Sequence, residues 1–166
     1  MTQTPNTPFG TPPNTLPEDP AHTVQIPTTT RSLPIAMLRA RENMMAPIRN
    51  MLNKVGVTEQ QWRVLRVLAE RGTMDPKDIA QSACLLNPSL TRIMQFLERK
   101  ELITRHAHPT DRRKMLVDIT PGGIDLLRDA APESNAIFAR LEAQYGRDQM
   151  DQLLDMLNTL SEVDLS

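Results

Sequence analysis

The chain has one cysteine, Cys84, in 166 residues. An intramolecular disulfide is thereby excluded, and the sequence suits a reducing compartment. Aromatic residues are scarce, at 3%, so a core must be built from Leu, Ile, Val and Met. No apolar run approaches the ~20 residues of a membrane span, and no signal-peptide segment follows Met1, so a cytoplasmic location without membrane attachment is expected. There is no P-loop, dinucleotide fingerprint, zinc-ligand spacing, Ser/His/Asp grouping or paired-carboxylate pattern, so neither an enzyme nor a bound cofactor or metal is expected. His106 and His108 lie near Asp111, but a loop between two short strands is a poor metal cage. Phosphate contact or plain solvation suits them better.

What is present is unevenly distributed. The net charge is -1, yet from Pro88 to Val117 seven basic side chains (Arg92, Arg99, Lys100, Arg105, Arg112, Arg113, Lys114) face three acids (Glu98, Glu101, Asp111), a local excess of four. Concentrated positive charge on a near-neutral chain is the footprint of a phosphate-binding surface. From Asp125 to Ser166 nine acids stand against three bases. That segment should face away from nucleic acid, although a solvated helical surface would carry the same charge.

Residues 1–31 hold seven of the 14 prolines and few large apolar groups, too little to offset the entropy of ordering them. They read as a disordered arm. A first helix should begin at Ser32-Leu33-Pro34, with Met37, Met44, Ile48, Leu52 and Val55 at helical spacing and a kink at Pro47. A second should open on the capping box Thr58-x-x-Gln61 and stop before Gly72. A short third helix has Asp75 as N-cap and Pro76 at its first position, with Ile79, Ala80 and Ala83 inward. A fourth spans Pro88 to about Lys100. Two β-like runs, Leu102–His106 and Lys114–Ile119, flank a turn-rich basic loop. Thr120-Pro121 caps a fifth helix that Pro132 should break near Ala131, and a sixth follows Gly146 with Met150, Leu153, Leu154, Leu157 and Leu160 as its stripe. The fold class is mainly α with a small β-hairpin wing: a winged helix-turn-helix over 57–120, and a helical dimerisation region from 32–56 and 121–163.

The third and fourth helices read as a helix-turn-helix. Leu90, Ile93 and Leu97 share the inner face of the fourth; Pro88, Arg92, Gln95 and Arg99 share the outer one, flanked by Ser89 and Thr91. Any amphipathic helix has such an inner face. Hydroxyls and guanidinium with no acid before Glu98 are what a recognition helix needs: Arg92 can donate twice to a guanine edge, and Ser89 and Thr91 can reach bases or phosphates. In the hairpin, the Asp111 carboxylate can accept from Arg113 or from loop amides and stiffen the tip. Arg112 or Arg113 would then project into a minor groove.

Here the chain resembles the MarR family of winged-helix regulators. The resemblance rests on Leu90-Thr91-Arg92, Leu97-Glu98-Arg99-Lys100, Leu102-Ile103-x-Arg105, Asp111-x-Arg113 and Leu116-Val117-x-Ile119-Thr120-x-x-Gly123, and covers about residues 33–163. Ala40-Arg41-Glu42, Thr58-Glu59-Gln60-Gln61-Trp62-Arg63 and Ala83-Cys84-x-Leu86-x-Pro88-Ser89-Leu90-Thr91 make it most similar to the subgroup that governs homoprotocatechuate degradation. The resemblance implies a homodimer built from the first, fifth and sixth helices, a pseudo-palindromic double-stranded operator, and release by a small phenolic or carboxylate ligand. The chain departs from the family at Glu101, where a glycine is usual, at Pro132, and in its Pro-rich arm.

Arg41 falls on the Met37–Met44–Ile48 stripe, and a cation on an apolar face needs a partner. A carboxylate of an aromatic acid or its thioester could be that partner; so could a structural salt bridge to Glu42 or to an acid of the fifth helix. Trp62 either lines the same cavity or is an ordinary core residue. The sequence therefore reads as a ligand-responsive DNA-binding regulator, a repressor of an aromatic-acid catabolic operon. Two rival readings stand beside it: an oxidant sensor acting through Cys84, and a protein-interaction module with a degenerate winged helix. Cys84 has no second cysteine to resolve a sulfenate and reads as structural.

Overall fold

The computed structural model describes residues 28, 29, 31–111 and 113–164. Most of the Pro-rich arm expected over 1–31 lies outside the described residues, and so does Arg112. In order, the elements are α1 (Leu33–Lys54), α2 (Glu59–Arg71), α3 (Pro76–Ser82), α4 (Asn87–Arg99), β1 (Ile103–Ala107), β2 (Met115–Ile119), α5 (Pro121–Tyr145) and α6 (Arg147–Ser161). The chain divides into two units, Met1–Arg39 and Ala40–Ser166, and the packing that follows is that of the second.

Local chemistry explains the helix starts. Thr58 accepts from the Gln61 N–H while the Gln61 side chain takes the Thr58 N–H, so two orphan donors of α2 are satisfied at once. Asp75 caps α3 through the Asp78 N–H at 2.9 Å, with Pro76 opening the helix. Thr120 caps α5 through the Gly123 N–H and ties that start to β1's root by donating to the Glu101 carbonyl. Gly123 has no alternative there, since a Cβ would meet the Leu102 carbonyl at 2.4 Å.

β1 and β2 pair antiparallel, Ile103 opposite Ile119 and Ala107 opposite Met115. Met74 bridges to Val117 and adds a short third edge. The strands start one residue later than the sequence suggested, because Leu102 closes a turn on the Leu97 carbonyl before pairing begins.

Two apolar clusters form the interior. One gathers Val64, Leu65 and Leu68 of α2, Ile79, Ala80 and Ala83 around α3, Leu90, Ile93, Met94 and Leu97 of α4, and Ile103 and Val117 of the hairpin. The other joins Met45, Ile48, Met51 and Leu52 of α1 to Val57, Ala130 and Ile137. Leu102 and Leu126 pack against both. Each fully buried Leu, Ile or Val stabilises the fold by roughly 1.5–3 kcal/mol.

Two expectations are corrected. Pro132 does not break α5, which runs uninterrupted from Pro121 to Tyr145. Ala130 and Ile137, on either side of it, are buried against the α1 face and offset the one hydrogen bond that proline removes. The buried stripe of α1 begins at Met45, while Met44 remains 40% exposed.

Glu101 has φ 57, a left-handed value that disfavours every residue except glycine. Glu101→Gly should therefore stabilise the protein by about 0.5–1 kcal/mol. Urea melts of both proteins check this, and an unchanged or lower midpoint would contradict it.

Candidate nucleic-acid interface and the cleft behind it

Burial of Leu90, Ile93, Met94 and Leu97 fixes the rotation of α4, leaving Pro88, Thr91, Arg92, Gln95 and Arg99 exposed and Ser89 half-buried. Among the described residues Arg92, Arg99 and Arg113 have no acidic partner within ion-pair distance, so their charge faces solvent. Arg105 is different. Its guanidinium pairs with the Glu98 carboxylate, tying the end of α4 to β1. That hydrogen bond holds the Glu98 carboxyl below the usual carboxylate range and raises Arg105, with burial opposing both. The pair ties the end of α4 to the wing and engages one cation of the basic stretch.

At the wing tip the Asp111 carboxylate accepts the Arg113 N–H at 3.1 Å, and the Asp111 carbonyl accepts from Lys114 at 2.9 Å. The His108 N–H closes the loop on the Lys114 carbonyl at 2.9 Å. At the other end of the hairpin Asp118 accepts from Thr73 and lies 3.2 Å from His106. His106 and His108 are thus engaged with protein groups, and among the described residues no cluster of His, Cys, Asp or Glu could hold a metal ion. None of the described helices is long and apolar enough to cross a membrane.

Between α1, α2 and α5, against the end of α3, lies a cleft of about 330 Å³, walled by Met44, Met45, Ile48, Met51, Glu59, Trp62, Arg63, Arg66 and Phe138. A second hollow of about 340 Å³ shares Trp62, Arg66 and Phe138 and extends along Leu127, Ala131 and Ser134 of α5. Trp62 is half-buried, with its ring between the α1–α5 cluster and this space. For Arg41 the sequence left open a ligand carboxylate or a salt bridge to Glu42, and the structure shows the salt bridge. Arg41 is exposed and does not wall the cleft; its guanidinium pairs with Glu59, which does, and with Glu42 at 3.1 Å. The Glu59 hydrogen bond is the main reason its pKa is raised. Glu42 also accepts from Arg49 at 2.6 Å, and chiefly for that reason its carboxyl lies lower than usual.

Sequence reasoning missed Glu59 and Arg63. Arg63 donates to the carbonyls of Ala83 at 2.7 Å and Cys84 at 3.3 Å, clamping the turn between α3 and α4. Its spacing of four from Glu59 was the available signal. Cys84 is not a buried structural cysteine; it is exposed, with φ 50, within that turn. The left-handed backbone swings its side chain out of the apolar stretch.

Known proteins share this fold. The MarR family signature covers residues 57–115. The regulator FarR of Neisseria gonorrhoeae is 37% identical over 80% of this chain and 91% of its own length. The homoprotocatechuate degradative operon repressor of Escherichia coli is 40% identical over 76% of this chain and 85% of its own. The crystal structure of NadR in complex with 4-hydroxyphenylacetate superposes with TM-score 0.73 at 36% identity, covering 84% of this chain and all of that one. The class defined by fold and sequence together is the winged-helix transcriptional regulator, not an enzyme. The chain belongs to the MarR family.

The Glu98–Arg105 pair gives a signed pH dependence. Because the folded carboxyl titrates below its ordinary 4.5, its contribution is full above that pH and is lost as pH falls through the depressed value. Glu98→Gln should lower the melting temperature at neutral pH, and the two melting curves should converge as pH falls below 4.5 and on through the depressed value. A constant gap between them at every pH would show that the pair does not act through ionisation.

Proposed function

We propose that the chain represses an operon for aromatic-acid breakdown, binding a pseudo-palindromic duplex as a homodimer and leaving it when a small aromatic carboxylate or its thioester binds. The observation that carries the DNA reading is the unpaired cationic face: Arg92 and Arg99 on α4 and Arg113 on the wing are exposed and lack acidic partners. Pro88, Ser89, Thr91 and Gln95 complete the α4 surface, and Arg112 joins from the sequence alone. Arg92 reads a base edge, Arg113 enters a minor groove, and Asp111 holds the tip that presents it.

Two features favour the dimer. None of α6 is buried in the single chain, and its Leu153, Leu154, Met156, Leu157 and Leu160 are all exposed. Separately, the start of α1 exposes Leu33, Ile35, Met37 and Leu38. Apolar rows of this kind are normally covered. In the assembly proposed here, residues 32–56 and 121–163 supply the dimer, 57–120 the DNA-binding domain, and 1–31 an appended arm.

The effector reading rests on the cleft. Its volume falls within the range of small-molecule sites, its walls combine Met, Ile, Trp and Phe with the charged Glu59, Arg63 and Arg66, and Arg41 stands at its edge through Glu59. The ring lies against Trp62 and the carboxylate pairs with Arg41. The E. coli relative represses a homoprotocatechuate operon and NadR holds 4-hydroxyphenylacetate, which supports an arylacetate for this chain.

Arg92→Ala should weaken binding to a duplex selected by the wild-type chain by about 1–3 kcal/mol, with little change on random DNA. Arg113→Ala should lower affinity and flatten its salt dependence by about one unit of slope. Unaltered footprints in both variants would sink the DNA assignment. Sedimentation should find a dimer at micromolar concentration; a stable monomer there would contradict the assembly.

A further inference from the structure

An acid on the wall of a cleft meant for an anion is the feature that requires an explanation. Glu59 opens α2, its side chain is 21% exposed, and its carboxylate occupies the Arg41 guanidinium. One helical turn on, Arg63 Nη2 already lies 3.9 Å from the same Glu59 oxygen. Arg63 Nη1 clamps the Ala83 and Cys84 carbonyls, while its Nε is buried without a hydrogen-bond partner.

We propose that Glu59 is a built-in stand-in for the effector's carboxylate, and that its displacement carries occupancy of the cleft to the recognition helix. The inference rests on the effector reading above. In this relay the anion takes the Arg41 Nη2 that Glu59 now holds. The freed carboxylate has a second cation within reach, and Arg63 gains an acceptor for the Nε–H that has none. Drawing that guanidinium toward Glu59 withdraws it from the two carbonyls. The turn it releases holds a left-handed cysteine at φ 50, a conformation that persists only where its surroundings enforce it. Leu86, two residues later, begins α4, so relaxation of this turn tilts Pro88, Ser89 and Arg92 from their register. The effector thereby meets the thermodynamic requirement for release: its site exists only in the state that lets go of DNA.

The test uses the full chain, Glu59→Gln and Arg63→Met. Operator binding is read by anisotropy on a duplex selected by the wild type, and ligand binding by Trp62 fluorescence and calorimetry. The probes are 4-hydroxyphenylacetate, 3,4-dihydroxyphenylacetate and 4-hydroxybenzoate, with 4-hydroxyphenylethanol as the control lacking a carboxylate. In the wild type at least one acid should weaken operator binding by roughly ten-fold or more, within the usual span of allosteric coupling, and the alcohol should not. Glu59→Gln should bind that acid about five-fold more tightly, yet its operator affinity should shift less than about two-fold on adding it. Arg63→Met, which removes the clamp on the turn, should keep the acid, bind the operator more weakly even without it, and lose the further response to it; it serves as the test if Glu59→Gln does not fold. A purely structural Glu59 would lower stability without separating ligand affinity from release. Full release in either folded variant overturns the relay and leaves the proposed function standing. If none of the three acids moves the wild type, the effector reading falls and the relay falls with it.

Discussion

Burial of one face of α4 is the constraint on which the rest depends. Leu90 and Leu97 are almost wholly removed from water, packed against α2, α3 and the root of the hairpin. A helix turns about 100° per residue, so fixing those positions fixes Arg92, Gln95 and Arg99 outward. Ile103 and Val117 belong to the same cluster, which sets the wing from the same apolar contacts. Recognition helix and wing are therefore oriented by one core, and the Glu98–Arg105 pair ties the end of α4 to the wing.

Charge is then sorted by what the fold leaves unpaired. The chain is close to neutral, but pairing is selective: Arg41, Arg49, Arg63 and Arg105 are engaged by glutamates behind or beside the face, whereas Arg92, Arg99 and Arg113 are not. A potential that attracts phosphate arises from this selection rather than from net charge. The acid-rich segment after Asp125 lies in α5 and α6, apart from the α4 and wing cations.

Much of this was legible in the sequence where a residue's local chemistry decides its conformation. Thr58–Gln61, Asp75–Pro76 and Thr120 mark helix starts because a cap acts within three residues; at Glu101 only the resemblance, through its usual glycine, pointed to the left-handed backbone found there. Legibility failed where distant packing decides. Pro132 looked like a break, but the missing bond, a cost of about 3 kcal/mol in an isolated helix, is outweighed by burial of Ala130 and Ile137. Arg41 sat on an apparent apolar stripe, yet the buried stripe is offset toward Met45, Ile48 and Leu52, and the partner that accounts for Arg41 lies 18 residues on, at Glu59. Arg63 could not be assigned a role at all, because the carbonyls it holds become neighbours only after α2 and α3 pack.

The energetics of release place different demands on the two ends of an aromatic acid. Moving a two-state regulator from almost wholly bound to almost wholly released requires about 5.5 kcal/mol of differential affinity. Exchange of one carboxylate for another on Arg41, whose side chain is 45% exposed, cannot supply that: ion pairs in such surroundings contribute about 0–1 kcal/mol. Burying a ring against Met45, Ile48, Trp62 and Phe138 can supply several, at about 25 cal/mol per Å² of apolar surface. In the effector reading proposed above, the carboxylate selects which molecules act, by contesting the position Glu59 holds, and the ring supplies most of the free energy. An aliphatic acid of equal charge would compete for Arg41 and still fail to empty the operator.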